Sequence, residues 1–220
     1  MILYSYFRSS AAYRVRIALN LKSIQYQTQP IHLLNDGGQQ HSPNYHLLNP
    51  LELVPVLRHD QHNISQSLAI IDYLEDLKKS PPLYPTNIVD KIACKEFALS
   101  IACDVHPINN LRVTDFLKKQ HGLTKQQITD WNLHWINIGF QSLEERLAAY
   151  ANKEPEAKMQ FCFAQQASLA DICLIPQVYN GLRHNIDMSI YPLLDSIYQH
   201  CITLPEFKSA APEQQPDAPI

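Results

Sequence analysis

The sequence predicts two parts of different class: an α/β layer in residues 1–80 and an all-helical region in residues 91–220, joined by a linker over 81–90. Three observations predict it. Strand and helix patterns alternate from Ile2 to Leu77. Lys79-Ser80-Pro81-Pro82-Leu83-Tyr84-Pro85 then packs three prolines into five residues, which cannot continue a helix and make a stiff connector. Beyond it, strand signals nearly vanish and helical spacing takes over.

In the first part, Ile2 to Tyr6 reads as a strand that runs into Ser9-Ser10 and then a helix over Ala11 to Leu21, with Val15, Ala18 and Leu19 on one face. Tyr26 to Ile31 alternates as a second strand, and Asn35-Asp36-Gly37-Gly38 is a turn or loop. Val54-Pro55-Val56-Leu57 starts a third strand with Asn63-Ile64 as hairpin partner. Ser67 to Leu77 is a helix, with Leu68, Ile71 and Leu74 at helical spacing. The order is β-α-β, then ββα. In the second part, Ile88 to Val105 is helical, Ile108 to Gln120 continues past Pro107, and Gly122 ends it. Thr124 to Ala151 is a long amphipathic helix. Ser168-Leu169-Ala170-Asp171 has the form of a capping box, with Asp in place of Glu, and opens a helix to Arg183 with Pro176 inside. The tail after Phe207, rich in Pro, Gln and Ala, is expected to be partly extended.

Composition narrows the function classes. Apolar residues make up 45% of the 220, enough for a sizeable core. The formal charge of -3 leaves no basic surplus to track a phosphate backbone, so nucleic acid is not expected as a partner. No apolar run reaches the roughly 18 residues of a membrane span, and no charged leader with a long apolar block opens the chain. Cys94, Cys103, Cys162, Cys173 and Cys201 are odd in number and form no Cys-x-x-Cys pair, which predicts buried thiols in a reducing cytoplasmic setting. The ten histidines show no metal-ligand spacing with them, and no metal is expected.

The most informative stretch is Phe7-Arg8-Ser9-Ser10-Ala11-Ala12-Tyr13-Arg14-Val15-Arg16-Ile17-Ala18-Leu19. A strand that ends at hydroxyls on a helix N-terminus is a place to hold an anion. The stretch has no cysteine where a redox protein of similar outline would carry one, so it points to a bound thiolate. Gln66-Ser67 likewise precedes a helix, where a hydroxyl and backbone N–H groups can hold a carboxylate, and Ser67 can equally cap its own helix.

The chain resembles the zeta class of glutathione transferases, which includes maleylacetoacetate isomerases, and is similar to the bacterial maleylpyruvate isomerases. The residues that carry this are Ser9-Ser10 with Arg14 to Leu19, Asp36-Gly37-Gly38-Gln39-Gln40, Leu48-Asn49-Pro50, Val54-Pro55, Gln66-Ser67-Leu68-Ala69-Ile70-Ile71, and Leu169-Ala170-Asp171 with Pro176-Gln177-Val178. The resemblance implies a cytosolic glutathione transferase fold: an α/β thioredoxin-like N-terminal domain plus an all-α C-terminal domain. It also implies a homodimer with glutathione in each subunit's interdomain cleft. It implies a cis peptide before Pro55, so that the backbone of Val54 pairs with that of glutathione. Gln40, Val54, Pro55, Gln66, Ser67, His106 and Asn110 are the implied glutathione-binding residues, together with Ser9 and Ser10. His106 and Asn110 sit in Asp104-Val105-His106-Pro107-Ile108-Asn109-Asn110, a run similar to the maleylpyruvate isomerase pattern.

Thiol activation selects the catalytic residues. A free thiol has a pKa of roughly 8.5, and each unit of depression takes about 1.4 kcal/mol. A helix N-terminus contributes about 0.3–1 kcal/mol, and a hydrogen bond to a charged group about 1.5–3 kcal/mol. The dipole alone is too small for a two-unit shift, so a hydroxyl donor is required: Ser9 by family position, supported by Ser10. The zeta class usually reads Ser-Ser-Cys, whereas this chain has Ala11, whose methyl can neither donate to sulfur nor form a mixed disulfide.

The family reaction is cis-to-trans isomerisation of a diacid: the thiolate adds to the double bond, the resulting single bond rotates, and elimination restores the thiol. Such a diacid needs fixed cations, and Arg8, Arg112 and Arg183 are the implied ones, with Leu111 standing where relatives carry the first of an arginine pair. Arg14 and Arg16 are expected to be structural, pairing with carboxylates at the domain contact. The leading expectation is a maleylacetoacetate isomerase of tyrosine and phenylalanine breakdown. The alternatives are a maleylpyruvate isomerase of the gentisate route and, because of Ala11, a transferase-fold protein that binds without turnover.

Overall fold

The structure, a computed structural model, describes residues 1–152, 159–163 and 165–219. It divides into two units, Met1–Leu83 with Thr203–Ile220, and Tyr84–Ile202.

In the first unit, β1 (Ile2–Ser5) leads into α1 (Ser10–Leu21), then β2 (Gln27–Pro30), a short α2 (Pro43–His46), the hairpin β3 (Val56–His59) and β4 (His62–Ser65), and α3 (Ser67–Leu77). The sheet order is β2-β1-β3-β4, with β1 parallel to β2 and antiparallel to β3. This is the thioredoxin-like βαβ-ββα layer that the resemblance implies. β1 alternates, burying Leu3 and Ser5, as a strand covered on one face does. α1 buries Ala12, Val15, Ile17, Ala18 and Leu19, and packs on α3 through Ile70, Ile71 and Leu74. A second cluster of Tyr6, Tyr45, Val54 and Val56 fixes the ends of β1 and β3.

The C-terminal tail lies elsewhere than the sequence expectation placed it. It belongs with the first unit, and its first residues after Phe207 complete the helix α9 (Pro205–Ala210), with Gln215 beyond it extended, so that only part of the tail is extended. Its docking explains both facts. Phe207 and Ala210 are buried, Arg16 Nε donates to Ala210 O at 2.8 Å, and Phe7 N donates to Asp217 Oδ2 at 2.9 Å. The proline segment is anchored too. The buried Lys22 ammonium donates to Glu75 Oε2, Lys78 O and Pro81 O at 2.5–2.6 Å.

The second unit is helical. α4 (Ile88–Leu99) passes into a π-helical stretch, Ser100–Val105, whose wider turn is closed by His106 N to Ile101 O at 2.9 Å. α5 (Leu111–His121) starts three residues later than the sequence suggested, because Asn110 caps it, and ends at Gly122 in the left-handed region. α6 (Lys125–Ala151) opens on a Thr124–Gln127 capping box. At Gly139 α6 meets the π stretch so closely that a Cβ would overlap the Val105 side chain. α7 (Leu169–Arg183) and α8 (Pro192–Cys201) complete the unit. The Ser168–Asp171 capping box is present as expected: Asp171 Oδ2 accepts from Ser168 N and Oγ, and Oδ1 from Cys162 N, each at 2.8 Å. Four of the five thiols are buried, and Cys103 is exposed. Among the described residues no helix is long and apolar enough to cross a membrane.

Candidate active site

Ser9 is the N-cap of α1. Its backbone is extended (φ -70°, ψ 116°), and its Oγ accepts from Ala12 N at 3.2 Å. With a lone pair of Oγ engaged by the helix, the hydroxyl hydrogen is the group that Ser9 offers outward. Ser10, the first helical residue, is buried. The β1 end that delivers these serines is held from both sides: Phe7 N by Asp217, and Phe7 O by Arg16 Nη2 at 2.9 Å. Arg8 stacks its guanidinium near Tyr6 and Phe7, 6.0 and 5.8 Å from the ring centroids.

The start of α3 is built differently. Its N-cap, Gln66, sits at φ 70° with no side-chain cap, and Ser67 is the first helical residue rather than the cap. A non-glycine residue in that region costs on the order of 1–3 kcal/mol, and such residues cluster at functional sites. Ser67 Oγ instead accepts from Arg14 Nη1 at 3.3 Å, in a buried setting. Thus α3 presents uncapped N–H groups, a hydroxyl and, beneath them, a buried guanidinium.

Sequence reasoning expected Arg14 to be structural and did not name its contact with Ser67. Arg16 donates from Nε to Ala210 O, from Nη1 to Ser5 Oγ and from Nη2 to Phe7 O, and so ties α1 to the end of β1 and to the tail. A signal was available. Arg14 falls inside the apolar run that α1 buries, where a cation needs a reason to be.

The Val54–Pro55 bond is cis, as the resemblance implied. The adjoining Leu53 carbonyl is fixed by Tyr45 Oη and Asn49 Nδ2, both at 2.8 Å. Gln40 is buried, and its Oε1 has no hydrogen-bond partner. Sequence reasoning also passed over His41, whose Nε2 lies 3.0 Å from Gln40 Nε2, and over Glu52 and His46, which are joined to His41 through the Glu52 carboxylate.

These groups fit glutathione. An anionic peptide with two carboxylates answers an open helix start over a buried cation, and a buried amide oxygen without a partner marks a place where a ligand changes the hydrogen bonding.

The remaining implied residues lie in the second unit. His106 ends the π stretch, a rare conformation that is frequent at functional sites. Asn110 spends its Oδ1 on Arg112 N at 3.1 Å as the α5 cap, leaving its amide N–H groups to donate elsewhere. The turn between them is held by Trp131 Nε1 to Ile108 O at 3.0 Å and tied to α7 by Asn180 Nδ2 to Asn109 Oδ1 at 3.3 Å. Arg183 ends α7 and Arg112 opens α5, both exposed. The structure therefore gathers Ser9, Ser10, Arg8, Gln40, Val54, Pro55, Gln66 and Ser67 in the first unit, and His106, Asn110, Arg112 and Arg183 in the second. Among the described residues no group of three His, Cys, Asp or Glu is placed to hold a metal ion.

A comparison with known families gives the class of fold. Residues 3–82 match the glutathione S-transferase N-terminal domain. A probable maleylacetoacetate isomerase of Vibrio cholerae is 47% identical over 99% of this chain and 98% of its own length. A maleylacetoacetate isomerase of Dictyostelium discoideum is 41% identical over 99% and 95%. Among solved structures, the holo form of a bacterial zeta-class maleylpyruvate isomerase superposes with a TM-score of 0.94 at 35% identity, covering both chains fully. A maleylacetoacetate isomerase of Methylobacterium extorquens, solved with bound malonate and glutathione, superposes with a TM-score of 0.92 at 34% identity, again with both chains fully covered. The chain belongs to the maleylacetoacetate isomerase family, in the zeta class of glutathione transferases.

Proposed function

We propose that this chain is a glutathione-dependent isomerase that converts maleylacetoacetate to fumarylacetoacetate in tyrosine and phenylalanine catabolism. The single observation that carries the chemistry is Ser9, whose Oγ is anchored by Ala12 N–H at the start of α1. That anchor aims the hydroxyl hydrogen away from the helix, where it stabilises a negatively charged sulfur.

Each group has a role in this reading. The first unit holds glutathione: α3 N–H groups and Ser67, over Arg14, take the γ-glutamyl carboxylate, while Gln40 and the Val54 backbone clamp the peptide. Ser9 lowers the thiol pKa and Ser10 supports it. Glutathione, when bound, supplies the sulfur nucleophile that adds to the substrate double bond and leaves after rotation. The second unit adds His106 and Asn110 as donors to the tripeptide. Arg8, Arg112 and Arg183 hold the two carboxylates of the diacid, so that the charge developed on addition meets fixed cations.

We also propose that the chain works as a homodimer in the cytoplasm. Exposed apolar residues on α4, with Ile88 at 68%, Val89 at 66% and Ile92 at 56%, support an interface. The cysteine thiols support a reducing compartment.

The test is isomerisation of maleylacetoacetate by purified protein with and without glutathione. Conversion that requires glutathione is expected, and no conversion under conditions where a zeta enzyme turns over would overturn the reading. The second reading, a maleylpyruvate isomerase, is favoured by the run Asp104 to Asn110 with Arg112 and by the likeness to the maleylpyruvate isomerase structure. A higher kcat/KM for maleylpyruvate than for maleylacetoacetate selects it.

A further inference from the structure

The C-terminal tail reaches the turn between β1 and α1 that carries Ser9, and the role inferred for it rests on the glutathione reading of that serine. β1 pairs with β2 in parallel, and the ladder runs as far as Ile31 N to Ser5 O at 2.8 Å. The next rung of a parallel ladder would take Phe7 N–H to Ile31 O. Asp217 takes it instead, with Oδ2 at 2.9 Å. The Phe7 carbonyl is held by Arg16 Nη2 at 2.9 Å. Both backbone polar groups of Phe7 are thus engaged by side chains, one from α1 and one from a segment 210 positions away. Released from β2, the chain turns at once: Ser9 N donates to Tyr6 O at 3.0 Å, and Ser9 becomes the cap of α1.

The tail is built to deliver this carboxylate. α9 grips α1 through Arg16 Nε to Ala210 O at 2.8 Å and Asn20 Nδ2 to Glu206 O at 2.9 Å. Gln215 Nε2 closes the end of α9, donating to Ser209 O and Ala211 O at 3.1 and 2.9 Å. Ala218 N to Gln215 O at 3.0 Å then bends the chain around Asp217. The carboxylate is not spent on the tail itself: Oδ2 goes to Phe7, and Oδ1 is buried without a partner. An empty buried acceptor costs stability, so docking alone would be served better by a neutral side chain. What the carboxylate gains is a charge-assisted hold on one backbone N–H.

We infer that Asp217 is a positioning residue for the isomerisation: by capturing the Phe7 N–H it sets where Arg8 and Ser9 stand, and so how well the Ser9 hydroxyl meets the glutathione sulfur. Ser9 follows the captured N–H within the same tight turn, so a shift of Phe7 passes to it with little chain to absorb the change. A misplacement of about 1 Å at a reacting group can cost a rate factor of about 10². The start of α3, Gln40 and Val54 lie on other segments and keep their hold on the tripeptide, so the loss falls on kcat.

The test measures kcat and the glutathione KM on the maleyl diacid, and the pKa of bound glutathione from its ultraviolet thiolate absorbance, all in the full chain. Asp217→Ala is expected to lower kcat about tenfold with the KM within about twofold, and to raise the bound thiol's pKa by about half a unit or more. Asp217→Asn keeps an acceptor oxygen for Phe7 N–H and should recover most of both. Asp217 is partly exposed and lies on the tail, so these variants leave the core intact. Asn20→Ala loosens α9 without touching Phe7; it should lower the unfolding free energy and leave kcat and the thiol pKa at their wild-type values. Wild-type kcat and thiol pKa in Asp217→Ala overturn the inference. An Asn20→Ala variant that matches Asp217→Ala in both readings overturns it as well, since tail docking alone then accounts for the effect. So does an Asp217→Asn variant as impaired as Asp217→Ala, because the hold on Phe7 is then not what matters. Absence of thiolate absorbance from glutathione and wild type at every pH overturns the glutathione reading itself, and this inference with it.

Discussion

The two units bury charge of opposite sign. Among the described residues, the first buries the cations Arg14, Arg16 and Lys22, and the second buries the carboxylate Asp171. Asp171 is consumed by its own helix start, accepting from Ser168 N, Ser168 Oγ and Cys162 N. Arg16 and Lys22 are likewise spent on the fold, holding the Phe7 segment, the tail and the proline linker. Arg14 differs in its place: its Nη1 donates to Ser67 Oγ at the start of α3, where no side chain caps the helix. A buried guanidinium beside an open helix N-terminus adds to the positive potential that an anion meets there.

The largest effect should come from breaking the architectural side of this comparison. Asp171→Ala leaves three donors without an acceptor, each worth about 1–3 kcal/mol. Chemical denaturation is expected to show a loss of about 3–5 kcal/mol. A loss below 1 kcal/mol would mean that α7 does not depend on its cap.

Next in size is the catalytic hydroxyl. Ser9→Ala should reduce kcat by about 10- to 150-fold, the equivalent of one hydrogen bond to a charged sulfur, with little change in glutathione affinity. The ultraviolet absorbance of bound thiolate, followed against pH, should show the glutathione pKa rising by at least about one unit. Ser9→Ala also removes a helix cap, worth about 0.5–2 kcal/mol of stability, so Ser9→Thr serves as the capped control. Equal turnover in wild type and Ser9→Ala would remove Ser9 from the mechanism.

Much of this was legible in the sequence because local rules and tertiary needs agreed. Ser168-Leu169-Ala170-Asp171 is a helix start in any context, and the structure builds α7 over Leu169–Arg183 as the pattern required. The elements that escaped share a cause. α2, α8 and α9 each begin with a proline at the first helical turn: Pro43, Pro192 and Pro205. There the missing N–H costs nothing and the fixed φ suits the helix, yet in sequence a proline reads as a stop. The docked tail was hidden for another reason. Its contacts link residues about 200 positions apart, such as Phe7 and Asp217, and no periodicity records such a pairing. The site divides in the same way. Ser9 and Gln66-Ser67 announce themselves as hydroxyls at helix starts, while Arg14 and the Glu52 cluster matter only through neighbours that folding brings to them.

Arg14→Met tests the functional side of the comparison more gently. Methionine fills similar volume but donates nothing, so Ser67 Oγ loses its buried partner, and the unfolding free energy should fall by about 1–3 kcal/mol. Glutathione Kd is expected to rise about tenfold. A destabilised protein with unchanged affinity would place Arg14 with Arg16 and Lys22 among the architectural cations.

The smallest effect, and the sharpest in sign, concerns two carboxylates. Burial pushes the Asp171 carboxyl above its usual range against the pull of its hydrogen bonds. A raised folded-state pKa means that the linked stability is full below the unfolded value and is lost as pH rises through the folded one. Glu52 is the reverse: hydrogen bonds from His41 and His46 hold it below its ordinary value of 4.5, so its linked stability is present above that pH and lost as pH falls through the folded value. Unfolding free energies of wild type, Asp171→Asn and Glu52→Gln between pH 3 and pH 7 should therefore diverge in opposite directions. The advantage of wild type over Asp171→Asn shrinks as pH rises, while its advantage over Glu52→Gln grows. Two curves of the same slope would show that the exposed carboxylate of the first unit and the buried one of the second are not held by opposing forces.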